Sequence, residues 1–311
     1  MGGAGPALRP CRGTRGARPL KSRLQRLLPA LALLLLAAAG AGAARAEPAL
    51  WRLRDADSTI YLFGTIHLLQ PGTPWQTPKI RDAFAGADEL WLEADVGLLS
   101  TLGPTLRYGL SFGEPLDRLL TPADLARVHD LLVPAGLSPG AINRLRPWLI
   151  AIMISTLPSV AAGFDMAAGA DMVLEGEARA RKIPIHRLES VSDQLRPFAE
   201  LAPADEIAVL RDALDALDHP EQDDTAALAG YWLAGDEAAL AGLLVADPQM
   251  GEQGPLYQGL IVDRNAAWTR RIEERLAGSG ISFIAVGAGH LVGPDSVIEM
   301  LAARGLNAER F

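Results

Sequence analysis

Cysteine is nearly absent: the one in the chain, Cys11, stands ahead of the first apolar run. Disulfides and thiolate-held metal are therefore excluded from the remainder of the chain, and Cys11 lies too far upstream to accept a lipid anchor. Acidic residues are missing from the first 46 positions, which carry Arg9, Arg12, Arg15, Arg18, Lys21, Arg23, Arg26 and Arg45. The apolar run that follows the basic head, Leu27 to Ala39, is shorter than the roughly 20 residues a membrane-spanning helix needs. A basic head, a short apolar run and Ala44-Arg45-Ala46 predict a secretory signal peptide cut after Ala46. No adjacent Arg-Arg pair precedes the run, which favours the general secretory route. The expected product is exported, periplasmic or secreted, with no stable membrane insertion once the leader is gone.

Positive charge is also scarce beyond the leader. Eight of the 29 basic residues and none of the 37 acidic ones lie in positions 1–46, so residues 47–311 carry 21 basic against 37 acidic side chains, a net −16. Nucleic acid and anionic membrane, which both require a positive field, are disfavoured as partners. A neutral or cationic substrate, or a bound cation, is compatible with that balance. No low-complexity linker interrupts residues 47–311, and an apolar share of 49% supports a sizeable core, so one large domain is expected.

Leu50 to Arg54 alternates, Asp55-Ala56-Asp57-Ser58 is a turn cluster, and Thr59 to Ile66 is β-branched and aromatic, which together predict a hairpin. A helix over Lys79 to Ala87 and a strand over Glu89 to Ala94 follow. Residues 115–245 read as a large helical insert. Its helices are Thr121-capped 122–133, then 147–157, 168–181, 204–217, 225–233 and 236–244, with a short strand, Ile183 to Leu188, among them. A long amphipathic helix is expected over Leu260 to Leu276. A buried strand over Ser282 to Val286, a helix over 294–304 and a last strand over 307–311 complete the chain. The fold class is α/β: a mixed central sheet built from the N- and C-terminal strands, with the helical insertion between them.

One pattern occurs twice. Phe63-Gly64-Thr65-Ile66-His67-Leu68-Leu69-Gln70-Pro71 aligns with Val286-Gly287-Ala288-Gly289-His290-Leu291-Val292-Gly293-Pro294. Each copy leaves a strand, with glycine three residues before histidine. Glycine permits a sharp exit and a close backbone approach, and the C-terminal ends of strands are where α/β sheets assemble their sites. Two such arms can bring His67 and His290 to one ion. Glu93, at the exit of Leu90-Trp91-Leu92, supplies a carboxylate, and two histidines with one carboxylate leave positions open for water and substrate. Glu189 ends another short strand and is a further ligand or a general base. A lone Gly-x-x-His is usually a structural turn, and Glu93 could be a solvated loop carboxylate; the matched flanks are what favour function. His129 and His219 read as solvated. His186 should point away from the face carrying Arg187 and Glu189.

These residues resemble the TraB/GumN family, which includes the TIKI metalloproteases that trim secreted Wnt ligands and is related to erythromycin-esterase-like and ChaN-like proteins. The resemblance runs from about Ala49 to Phe311. It rests on Trp51, Gly64-Thr65-Ile66-His67, Leu90-Trp91-Leu92-Glu93, Gly163-Phe164-Asp165, Leu188-Glu189 with Gln194, Arg264-Asn265 and Gly287-Ala288-Gly289-His290. It implies a divalent ion (manganese, cobalt or zinc) on His67, His290 and Glu93, and hydrolysis of a peptide or small-molecule substrate. Some bacterial members are linked by name to pheromone shutdown or polysaccharide gene clusters. Arg264 and Asn265 would then face the site from the long helix, Arg264 as an anion or oxyanion partner and Asn265 as an amide donor; the alternative for Arg264 is pairing with an acidic neighbour on a surface helix. Gly289 beside His290 departs from the first motif and predicts a more flexible second arm. The competing expectations are a non-catalytic binding or regulatory protein that sequesters a peptide or metal-bearing ligand such as haem, and an accessory of envelope polysaccharide assembly.

Overall fold

A computed structural model describes residues 1–3, 47–95, 97–219, 224–246 and 254–311. Apart from residues 1–3, the expected signal peptide lies outside the described residues.

The first two strands form the expected hairpin. β1 (Leu50–Arg54) pairs antiparallel with β2 (Ser58–Thr65), with Leu50 opposite Phe63 and Arg54 opposite Thr59. The Asp55 carboxylate closes the turn by accepting from Ser58 N at 2.8 Å, the local side-chain bond that makes aspartate a turn residue. Four further strands, β3 (Glu89–Leu92), β4 (Ile185–Arg187), β5 (Gly280–Gly287) and β6 (Glu309–Arg310), complete a six-stranded sheet in the order β4-β3-β5-β2-β1-β6. β4, β3, β5 and β2 run parallel, whereas β1 and β6 form an antiparallel margin. The chain is thus α/β with a mixed sheet.

The parallel strands are apolar on both faces because helices cover both. Phe63, Leu90, Phe283 and Ala285 meet Ile80 and Phe84 of the Pro78–Ala85 helix, Ala170, Leu174 and Ala178 of the Ala170–Arg181 helix, and Trp232. On the other face Ile60, Leu62, Ile284 and Val286 meet Trp268, Ile272 and Leu276 of the Asp263–Leu276 helix and Val297 and Leu301 of the Val297–Ala302 helix. Register explains the division: Leu62 lies opposite Ile284 and Phe63 opposite Ala285, so each step along the strand alternates faces.

Several elements depart from expectation. The stretch 115–245 is largely helical but contributes to more than one part of the fold. β4 and the Ala170–Arg181 helix within it belong to the sheet and its cover, while Leu116, Val128, Ile142, Ile150, Ile154, Leu210 and Leu214 form a helical core of their own. Among the described residues several helices were not expected, including the short Leu116–Leu119, Pro139–Ile142 and Leu157–Ala161. Leu98–Gly109 carries Gly103 and Pro104, residues of poor helix propensity. Val191–Ala199 is short and contains Pro197, but a capping box between Ser190 and Asp193 starts it. The long C-terminal helix begins at Asp263, after a π-helical turn at Gln258–Val262. The last strand shrinks to two residues. Among the described residues no helix is long and apolar enough to cross a membrane.

Candidate active site

Four adjacent parallel strands end at the same edge of the sheet, and each delivers one candidate residue just beyond its last residue. His67 follows β2, Glu93 follows β3, Glu189 follows β4, and His290 lies three residues past β5, in the 3-10 turn Ala288–Leu291. The backbones of β3 and β4 stay paired into the site, with Glu189 N donating to Glu93 O at 2.9 Å.

The glycines of the repeated motif serve different packing needs. A Cβ on Gly64 would stand 3.1 Å from Ala288 Cα, so the absence of a side chain lets the two arms lie against each other. A Cβ on Gly287 would sit 3.1 Å from Glu93 Oε1, 3.6 Å from His290 Cδ2 and 3.8 Å from His67 Nε2. The two imidazoles and the carboxylate therefore border one small space, and Gly287 keeps it open. The Gly287 N–H also donates to Glu93 Oε1 at 2.6 Å.

Each histidine is held through Nδ1. His290 Nδ1 is 2.7 Å from Asn265 Oδ1, and Asn265 Nδ2 donates to the Asp295 carbonyl, so the amide has only its oxygen to offer the ring. His290 consequently carries its proton on Nδ1 and presents a lone pair at Nε2. Burial pushes its pKa down to about 3. His67 Nδ1 lies 3.2 Å from Asp171 Oδ2. That hydrogen bond is the main cause of a His67 pKa raised to about 9, against the opposing pull of burial. The second arm, expected to be the more flexible, is the more enclosed: the His290 side chain is 8% exposed, whereas that of His67 is 52% exposed. Asn265 and the Trp268 ring, 4.4 Å from the His290 ring, supply the enclosure.

Arg264 stands at the centre. It opens the Asp263–Leu276 helix, whose buried stripe of Asn265, Trp268, Thr269, Ile272 and Leu276 faces the sheet at helical spacing. Its Nη2 donates to Glu93 Oε2 at 2.8 Å and to Glu189 Oε1 at 2.6 Å, its Nε to Glu189, and its Nη1 to His290 Nε2 at 3.2 Å and Leu260 O. The guanidinium also lies 4.7 Å over the Trp268 ring, whose Nε1 donates to Glu189 Oε2. Burial alone would raise the Glu93 carboxyl, but the neighbouring His290, Arg264 and His67 with the Gly287 N–H hold it at about 2. Glu189 moves the other way: burial raises its pKa despite Arg264. Two neighbouring carboxyls with opposed shifts are what acid–base chemistry needs.

All six expected residues, His67, Glu93, Glu189, Arg264, Asn265 and His290, are thus brought together. Two of them have partners within the chain. The Asn265 side chain is committed to His290 and the Asp295 carbonyl, not to an outside acceptor, and Arg264 faces carboxylates of its own chain. His186 lies elsewhere, stacked on Trp91 and paired with Glu89. Gln194, within 3.4 Å of Glu93, comes from the unexpected Val191–Ala199 helix. Asp171, from the start of the Ala170–Arg181 helix, had no motif of its own to announce it. Gly163-Phe164-Asp165 supports the first arm, since Asp165 and Leu69 exchange both backbone hydrogen bonds just past His67.

A divalent ion would meet Nε2 of His67, Nε2 of His290 and the Glu93 carboxylate. Both rings have the second-nitrogen partner typical of metal-bound histidine, and the donor chemistry fits once the ion displaces the Nε2 proton of His67. Among the described residues no group of three or more histidine, cysteine, aspartate or glutamate side chains is arranged as a metal shell. The Arg264 guanidinium engages His290 Nε2 and Glu93 Oε2 itself.

A protein from Treponema pallidum (strain Nichols), described only as uncharacterized, is 24% identical over 274 residues, covering 84% of this chain and 82% of its own length. No solved structure matches. The model of the TraB/PrgY/gumN family matches residues 49–310, a span that holds both glycine–histidine motifs and every residue of the cluster, and the chain belongs to that family.

Proposed function

We propose that the cluster is the centre of an exported, metal-dependent hydrolase acting on peptide, amide or ester bonds. The observation that carries this reading is the pair of imidazoles from opposite ends of the chain, each engaged at Nδ1 and each bordering, with Glu93, the space that Gly287 keeps clear. His67 Nε2, His290 Nε2 and Glu93 would hold the ion. A divalent ion in such a site polarises a carbonyl and lowers the pKa of bound water.

The chain's own groups do the rest. Glu189, whose pKa burial raises, accepts a proton from water and returns it to the leaving group. Arg264, released from His290 Nε2, offers Nη1–H to the oxyanion of the attacked carbonyl while Glu189 and Glu93 keep the guanidinium in place. Asn265 acts through His290, fixing its tautomer. Export is supported by the basic head, the apolar run and Ala44-Arg45-Ala46.

The test is metal content and turnover together. Purified protein should retain one divalent ion per chain and cleave members of a peptide and ester panel with Mn²⁺, Co²⁺ or Zn²⁺. His67→Ala and His290→Ala should lose both. Equal turnover in the variants removes the proposal, and stoichiometric ligand binding without product supports a sequestering protein instead.

A further inference from the structure

The first arm is braced by a helix start. Gly169 immediately precedes the Ala170–Arg181 helix, and a Cβ there would collide with the His67 carbonyl, so only glycine lets the helix seat so closely. Ala170 N donates to Ile66 O at 3.0 Å and locks the contact. Asp171, in the first helical turn, then reaches His67 Nδ1 at 3.2 Å. Half of the His67 side chain is exposed, so packing alone leaves the ring free to turn. The other carboxylate oxygen, Asp171 Oδ1, is buried without a hydrogen-bond partner among the described residues, and so is Thr65 Oγ1 on a residue only 1% exposed. Asp171 and Thr65 both line a cavity of about 20 Å³, shared with His67, Glu93, Glu175 and Gln194. That volume takes one water molecule.

We infer that Asp171 is a positioning residue for the site: it accepts the Nδ1 hydrogen of His67 and turns Nε2 toward Glu93, and one buried water joining Asp171 Oδ1 to Thr65 Oγ1 steadies the carboxylate. This rests on the metal-centre reading for its consequence, because a ligand ring that can rotate binds an ion more weakly. The geometry itself does not depend on that reading.

The experiment compares the full chain with Asp171→Ala and Asp171→Asn, using equilibrium dialysis against Mn²⁺ alone and a crystal structure of each. Asp171→Ala should weaken Mn²⁺ binding about 10–100-fold and leave the His67 ring rotated or split between orientations. Asp171→Asn keeps an oxygen that can accept from Nδ1–H, so it should recover most of the affinity and the wild-type ring. Unchanged affinity and an unmoved ring in Asp171→Ala overturn the inference. If the wild-type protein binds no Mn²⁺, the metal reading fails, yet the ring still decides the role of Asp171: displaced supports it, unmoved refutes it. Should the alanine variant not fold, Asp171→Asn decides alone, and a ring turned away from Glu93 overturns the inference.

Discussion

His290 Nδ1 lies 2.7 Å from Asn265 Oδ1, and this one contact determines which nitrogen of the ring faces the site. Asn265 is fully buried and its amide nitrogen serves the Asp295 carbonyl, so no rotation of the amide satisfies both neighbours in another way. Asn265→Ala should leave His290 Nδ1 and the Asp295 carbonyl without partners, each orphan costing roughly 1–3 kcal/mol. Urea denaturation checks this, and a variant as stable as the parent would remove the argument for a fixed tautomer.

Gly287→Ala puts a methyl group into the space bordered by Glu93, His290 and His67. Gly287 has no left-handed backbone requirement, so the effect should be local: the protein folds, while metal retention and hydrolysis fall by at least about tenfold, as for a misplaced ligand shell. Metal analysis beside a thermal melt separates the two. Full metal content in the folded variant would contradict the position assigned to the centre.

Arg264→Met removes the buried cation and leaves Glu93 and Glu189 side by side. Breaking a buried ion pair from one side costs roughly 3–5 kcal/mol. Because Glu93 and His290 Nε2 are then freed from the guanidinium, added Mn²⁺ should raise the melting temperature of this variant more than that of the parent. Equal shifts in the two proteins would show that Arg264 and the ion do not share ligands.

Acid should act through His290 before Glu93. The lowered His290 pKa means that the unfolded chain takes up a proton below about 6.5 that the folded chain refuses until about 3, so stability declines over that interval as pH falls. The depressed Glu93 pKa stabilises the fold above about 4.5, and that stabilisation is lost as pH falls toward about 2. His67, raised to about 9, stabilises fully below about 6.5, and its contribution disappears as pH rises through 9. With chelator present, His290→Asn should flatten the decline between pH 6.5 and 4.5 while leaving the lower limb. An unchanged upper limb would assign it to another group.

Much of the site was legible from residues alone because it sits at strand ends. The repeated Gly-x-x-His marks two exits, and Leu90-Trp91-Leu92-Glu93 marks a third, since apolar strands that stop at one polar residue follow from burial on both faces of a parallel sheet. The hairpin and the helix capped by Thr121 were equally local, written in turn and capping chemistry spanning three or four residues. What local pattern could not show was the distance between Asp171 and His67, or that Arg264 would enter the space beside His290, since those depend on which helices settle against the open strand ends.

The sequence by itself therefore determined the elements and the residues that leave them: periodicity, caps and glycine placement are short-range properties of the chain. Only the tertiary structure decided partnership. It set Asn265 on His290, Asp171 on His67 and Arg264 between two carboxylates, because a buried donor or charge must be matched by whatever the packing of distant segments brings within about 3 Å.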